Sequence, residues 1–296
     1  MKILILGAGG MLGHQLCRCL NACGEVFAVF RKDISRYDRY GLVDSSHGYG
    51  NLDVTDLPSF KRVLNRLRPN VLVNAVGIVK QRRDAKEAIP SITVNGLLPH
   101  LLAEASSEIG ARLFHFSTDC VFSGNRGGYT EDDLPDPVDL YGRTKLVGEV
   151  EGPRCVTLRT SIIGWEIENR GGLLEWFAAQ RGGIINGYRK AIYTGLSTSA
   201  MAKLVGRVIL EHPDLSGLYH VASAPISKYD LLTRLAERLG WDDIQIRPEE
   251  DFQCDRSLIG TRFESLTGWE PPDWNEMIEG LSEEWPVYDK WRRDAK

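Results

Sequence analysis

The chain has 296 residues, 43% of them hydrophobic and 26% charged, enough apolar material for one large α/β domain with an appended lobe. Its net charge of −4, from 36 Lys and Arg against 40 Asp and Glu, excludes the broad cationic surface that nucleic acid or an anionic membrane would require. No apolar run is long enough to span a membrane, and the strand-like Lys2-Ile3-Leu4-Ile5-Leu6 follows Met1 directly, so a cytoplasmic protein without a signal peptide is expected.

Ile3 to Leu6 reads as a buried strand. It runs into Gly7-Ala8-Gly9-Gly10-Met11-Leu12-Gly13 and then a helical pattern through Leu16, Leu20 and Cys23. Strand, glycine turn and helix in that order form the setting of a dinucleotide fingerprint. Glycines at 7, 10 and 13 allow a tight turn, bring backbone N–H groups to a pyrophosphate at the positive end of the helix, and let helix and strand pack closely. A second strand, Val26 to Phe30, ends at Arg31-Lys32. Cations there suit the 2′-phosphate of NADP(H), whereas an acidic residue would bind the ribose of NAD(H); Asp33 keeps NAD(H) as the alternative.

Asn51-Leu52-Asp53-Val54 precedes a helix from about Leu57 to Leu67, and the Asp53-Val54 pair is placed to meet adenine, with capping as the structural alternative for Asp53. Val71 to Asn74 is a buried strand whose tail, Ala75-Val76-Gly77, is small enough for a cofactor to pass close to backbone. A helix from about Pro90 to Ile109 carries Asn95, which either ties neighbouring backbone together or caps locally. Strand Arg112 to Phe116 then delivers Ser117-Thr118-Asp119. Strands alternating with helices at these lengths predict a doubly wound parallel sheet, a Rossmann fold, with ligands over the carboxyl ends of the strands.

The breaker-rich Asp132-Asp133-Leu134-Pro135-Asp136-Pro137 comes before Tyr141-Gly142-Arg143-Thr144-Lys145, which places Tyr141 on a helix's first turn. Lys145 follows one turn later on the same face. An ammonium beneath the phenol would favour its anion and lower a pKa normally about 10, making a usable proton donor. Alone, such a pair is a weak signal, because a half-buried tyrosine with a solvated lysine accounts for most chance occurrences. The glycine turn and the Ser117-Thr118 hydroxyls give it context.

Residues 1–160 are expected to form the nucleotide-binding domain and 161–296 a substrate-binding lobe, with a stretch around 190–225 returning to the sheet. Cys155 to Arg159 continues the sheet, and Gly187 to Gly195, which includes Arg189, supplies aromatics and cations for a base, sugar or phosphate, or else is a solvated loop. Leu218 to Val221 reads as a strand, Lys228 to Leu239 as an amphipathic helix, and Trp269, Trp274, Trp285 and Trp291 as packing for the lobe. The six cysteines (Cys17, Cys19, Cys23, Cys120, Cys155, Cys254) have neither C-x-x-C pairs nor histidine ligand spacing, so neither a metal site nor a disulfide framework is expected.

The glycine spacing, the hydroxyl residue after the fourth long strand and Tyr-x-x-x-Lys together resemble the extended short-chain dehydrogenase/reductase family. Ser117-Thr118-Asp119-Cys120-Val121-Phe122, Tyr141 to Lys145, Leu158-Arg159-Thr160-Ser161 and Gly217-Leu218-Tyr219-His220 are most similar to its dTDP-4-dehydrorhamnose reductase group, nearly end to end. The resemblance implies an NADP(H)-dependent oxidoreductase acting on the keto group of a nucleotide-linked sugar for cell-surface polysaccharide. It also implies Thr118, Tyr141 and Lys145 as the catalytic trio. Gly7, Gly10, Met11, Leu12 and Gly13 would then hold pyrophosphate, Asp53, Val76 and Gly77 would lie near adenine and ribose, and Asp119 near the sugar. A homodimer is the superfamily's habit. Two departures fall on the sugar side: Ile162 stands where the group commonly has tryptophan, and Val76-Gly77-Ile78 followed by Val79 to Arg83 replaces Ala-Ala-His. The alternatives are an epimerase or dehydratase using the same trio, and a non-catalytic NADP-binding regulatory subunit.

Overall fold

The computed structural model describes residues 1–79 and 86–294; Lys80 to Arg83, part of the second departure, lie outside the described residues. The strands are β1 (Lys2–Leu6), β2 (Glu25–Val29), β3 (Gly48–Tyr49), β4 (Val71–Asn74), β5 (Arg112–Phe116), β6 (Cys155–Arg159), β7 (Ile162–Ile163), β8 (Ile184–Tyr193), β9 (Leu196–Ser197), β10 (Gly217–His220), β11 (Ile226–Ser227) and β12 (Gln245–Asp255). The helices are α1 (Gly13–Leu20), α2 (Leu57–Leu67), α3 (Ala88–Ser91), α4 (Leu98–Glu108), α5 (Leu140–Val147), α6 (Leu173–Ala178), α7 (Thr198–Glu211), α8 (Lys228–Leu239), α9 (Thr261–Thr267) and α10 (Trp274–Arg293).

Seven strands form one parallel sheet in the order β10-β6-β5-β4-β1-β2-β3, a doubly wound Rossmann sheet that reverses direction at β1 and β4. The central strands β1 and β4 carry unbroken apolar runs, Ile3 to Leu6 and Val71 to Val73, because helices cover both faces, which removes the alternation seen in half-exposed strands. Register aligns Leu6, Asn74, His115 and Thr157 in one row across β1, β4, β5 and β6. Asn74 and His115 are the row's buried polar members next to the site.

The chain's second half adds a small sheet, β11-β8-β12, and the pair β7-β9, while β10 joins the large sheet beside β6. The helix expected from about Pro90 to Ile109 is not uniformly α-helical: between α3 and α4, Ile92–Leu97 forms a π-helix that contains Asn95. An extra residue in a turn re-aims the side chains after it, and such insertions cluster at functional sites.

The tryptophans do more than pack the lobe. Trp165 is wholly buried, donates Nε1–H to Leu281 O at 2.7 Å and packs against Trp285, whereas Trp291 meets Tyr40 and the Arg18 guanidinium in the first half of the chain. Helix α10 therefore bridges both halves. Tyr288 donates to His14 Nε2 and accepts from Gln15 at 3.1 Å, and His14 Nδ1 bonds Gly10 O at 2.8 Å. Burial holds His14 down to about 4, so the ring is neutral and donates from Nδ1 to the glycine turn. Trp165→Ala, which leaves a cavity and an orphaned carbonyl, is expected to cost about 3–5 kcal/mol in urea unfolding. A loss of under about 1 kcal/mol would show that this anchor does not hold α10.

Candidate active site

The glycine turn is built for close approach. Gly7 has φ +76°, and a Cβ there would lie 3.0 Å from Ala75 O; one on Gly13 would lie 2.1 Å from Gly7 O. Neither position admits a side chain without moving backbone. Helix α1 begins at Gly13 with no side-chain cap, so its first N–H groups have no side-chain acceptor, and Met11 and Leu12 sit at that end, half-buried and buried. An uncapped helix start behind a turn sealed against Cβ atoms fits the pyrophosphate of a dinucleotide. Ala75, Val76 and Gly77, all half-buried, continue from β4 beside Gly7.

Arg31 is exposed just beyond β2, and Lys32 pairs with Glu168 at 3.0 Å. Asp33 Oδ1 caps Ser35 N and its Oδ2 accepts from Asn51 at 3.0 Å, so that carboxylate is engaged locally. Asp53 accepts from Thr55 N and Oγ1, an exposed turn of its own, while Asp56 caps α2. Val54 is buried in the core.

Asp139 caps α5 by accepting from Gly142 N at 2.8 Å, which sets Tyr141 on the first turn. Thr118 Oγ1 accepts from Cys120 N at 3.1 Å, donates to Asp119 Oδ1 at 3.0 Å and lies within hydrogen-bonding reach of Tyr141. Asn95 holds Ile78 at both ends, accepting from its N–H and donating to its carbonyl at 2.9 Å each, and reaches Thr144 of α5 at 3.4 Å. The π turn thus tethers the tail of β4 to the helix that carries Tyr141. Asn95 is the tie between backbone segments that the sequence offered as one of its two readings.

The electrostatics correct one expectation. Lys145 Nζ does not turn to the phenol; it donates to Phe116 O at 2.5 Å and lies 3.5 Å from His115 Nε2. Burial pushes the Tyr141 phenol above its ordinary value, and the carboxylates of Asp119 and Asp139 add to this, against a hydrogen bond with Thr118. Loss of water around the anion outweighs any cationic help. Burial also depresses Lys145 from 10.5 to about 8, opposed by Glu149. Asp119 is pushed up by burial, with Arg256 and Lys228 pulling it down.

Ser117, grouped with Thr118 in the sequence, turns away: its hydroxyl donates to Glu149 Oε1 at 2.6 Å. Glu149 takes both forks of Arg159 at 2.7 Å, and Arg159 also reaches His220. This buried pair lies directly behind the site. Its signal was in the sequence, since Glu149 stands four residues after Lys145. Arg256 was missed too; its guanidinium donates to Phe122 O and Ser123 O and shapes the loop after Thr118. Ile162 is half-buried in β7, and Arg189 lies on β8 against Tyr229 and Glu250. The open cavity of about 530 Å³ that Arg189 lines with Ser227, Asp230 and Arg234 contains none of Thr118, Tyr141 or Lys145. The structure thus gathers Thr118, Asp119, Tyr141 and Lys145, and does not bring Arg189 among them.

Residues 1–282 match the family described as RmlD substrate binding domain. The spore coat polysaccharide biosynthesis protein SpsK of Bacillus subtilis (strain 168) is 28% identical over 94% of this chain and 95% of its own. The dTDP-4-dehydrorhamnose reductase of Escherichia coli (strain K12) is 30% identical over 78% of this chain and 75% of its own. Among solved structures, dTDP-4-dehydrorhamnose reductase from Bacillus anthracis (strain Ames), in complex with NADP, superposes with a TM-score of 0.78 at 22% identity, covering 96% of this chain and 99% of that one, a likeness of fold. With its glycine turn, its Tyr141–Lys145 helix and a family match that spans nearly the whole sequence, this chain belongs to the RmlD family.

Proposed function

We propose that this chain is an NADPH-dependent reductase of the keto group, at C4, of a nucleotide-linked 6-deoxy sugar. The observation that carries this reading is the convergence of Thr118, Tyr141 and Lys145 over the ends of β5 and α5, tethered through Asn95 and Ile78 to the strand beside the glycine turn. Support for the substrate class comes from relatives named dTDP-4-dehydrorhamnose reductase and from SpsK, named for spore coat polysaccharide biosynthesis.

A bound NADPH would supply the hydride. Gly7, Gly10, Met11, Leu12 and Gly13 would hold its pyrophosphate, Asp53, Val54 and the 75–77 tail its adenosine, and Arg31 its 2′-phosphate; Asp33, engaged by Ser35 and Asn51, offers little competition for NAD(H). As negative charge builds on the sugar's carbonyl oxygen, Thr118 and Tyr141 hydrogen-bond it and Tyr141 gives up its proton. The raised phenol is fully protonated at neutral pH, the form a general acid needs. Lys145, whose amine is held by Phe116 O rather than by the phenol, would anchor the nicotinamide ribose. Asp119 and Ile162 would face the sugar, and Arg189 an outer part of the nucleotide. Residues 161–296 would supply most of the substrate lobe, working in the cytoplasm as a homodimer.

A panel of dTDP- and UDP-linked 4-keto-6-deoxy sugars, followed by NADPH absorbance, tests the reading; oxidation with none of them would refute it. Tyr141→Phe is expected to lower kcat by at least about 10²-fold while leaving NADPH affinity within about twofold. Near-normal turnover would remove Tyr141 from the acid's role.

Lys145 also predicts a stability profile. Its folded pKa, about 8, lies below the ordinary 10.5, so between those values the folded state holds fewer protons than the unfolded chain and stability rises with pH. Below pH 8 the buried charge costs the most. Lys145→Met should therefore gain about 2 kcal/mol in urea at pH 7, a gain that shrinks towards pH 10.5, while activity is lost. An unchanged or lower stability at pH 7 would contradict a strained charge at this position.

A further inference from the structure

We propose that His115, held by Asn74 as the tautomer with its proton on Nε2, is a positioning residue that sets the charge of Lys145. Asn74 Oδ1 accepts from Val76 N at 3.1 Å, which fixes the amide's orientation and turns its nitrogen to His115 Nδ1, also at 3.1 Å. A donor at that distance requires a lone pair on Nδ1. The ring is wholly buried and its pKa is held well below 6.5, first by burial and then by the Lys145 charge, so it carries a single proton, and that proton is on Nε2. Nε2 stands 3.5 Å from Lys145 Nζ, the far limit of a hydrogen bond, while Nζ itself donates to Phe116 O. An N–H pointed at an amine is favourable when the amine is neutral and offers its lone pair. It is unfavourable when the amine is an ammonium.

The other groups facing the pair act less directly. Glu149, beyond the end of α5, favours the charged lysine, but its oxygens are shared with the Arg159 guanidinium and the Ser117 hydroxyl. From α4, His100 adds to the lowering of His115, and its Nε2 bonds Val147 O of α5 at 2.7 Å. The backbone N–H of Val76, in the segment beside the glycine turn, is thereby linked through Asn74 and His115 to the amine. The inference rests on the reductase reading only for the use made of the Lys145 charge.

The test follows the lysine directly, by NMR titration of the full chain labelled with ¹³C-lysine, with the Lys145 resonance assigned from Lys145→Arg. His115→Gln can present an amide oxygen to the amine. Asn74→Asp offers an acceptor in place of the amide donor, so the ring's proton moves to Nδ1, donates to that carboxylate and leaves a lone pair on Nε2. Each is expected to move the Lys145 titration upwards by about one pH unit. Thermal melts establish folding, and Asn74→Asp, which keeps the ring, supplies the readout should His115→Gln not fold. A folded His115→Gln, or Asn74→Asp, that titrates with the parent overturns the proposal. NADPH affinity is measured across the same pH range. If the lysine's titration moves and NADPH affinity does not follow it, His115 keeps its assigned role and the cofactor-binding part of the reductase reading fails.

Discussion

Holding an amino group where water cannot reach it is the constraint on which the site depends. Lys145 is buried at the end of β5 with a single backbone carbonyl and a histidine nitrogen as its nearest partners. A charge in that position is costly, and the folded chain carries that cost. The surroundings keep it in place. Glu149 and Arg159 form a two-pronged pair behind it, their side chains 7% and 6% exposed. Breaking such a pair strands one charge in the interior, so it fixes the geometry more than it adds net stability.

The sheet does the rest. Because β1, β4 and β5 are neighbours in register, the glycine turn, Asn74 and His115 come side by side without any long loop to position them. The π turn then links the tail of β4 to α5 through a single asparagine. Parts separated by more than a hundred residues in the chain share one rigid platform, and Thr118 and Tyr141 need only the exit of a strand and the first turn of a helix to meet.

Much of this was legible in the sequence. The order of strands and helices, the glycine turn, the hydroxyl after β5 and the placing of Tyr141 on a helix start follow from local pattern, since each is set by residues within a few positions. What the sequence misjudged depends on tertiary surroundings. Spacing puts Lys145 on the face of Tyr141, but says nothing of the carbonyl of Phe116, which captures the amine, or of the burial that raises the phenol. The π turn adds one residue with no mark in composition. Ser117 and Thr118 look alike as neighbours and point to opposite sides because adjacent residues leaving a strand do so. Arg256 and Glu168 meet the site from remote stretches where no motif announces them.

The docking of α10 on α1 bears on how the molecule comes into being. His14 and Gln15, at the start of the helix that follows the glycine turn, find their polar partners in Glu284 and Tyr288, some 270 positions later. His14 Nδ1 has a local partner in Gly10 O, yet His14 Nε2 and the Gln15 amide stay without theirs until residues 284–288 are made. Contacts of such long sequence separation form late and slowly. The helix behind the glycine turn is thus packed in part by residues some 270 positions later, so its surroundings are completed only once that distant stretch has docked.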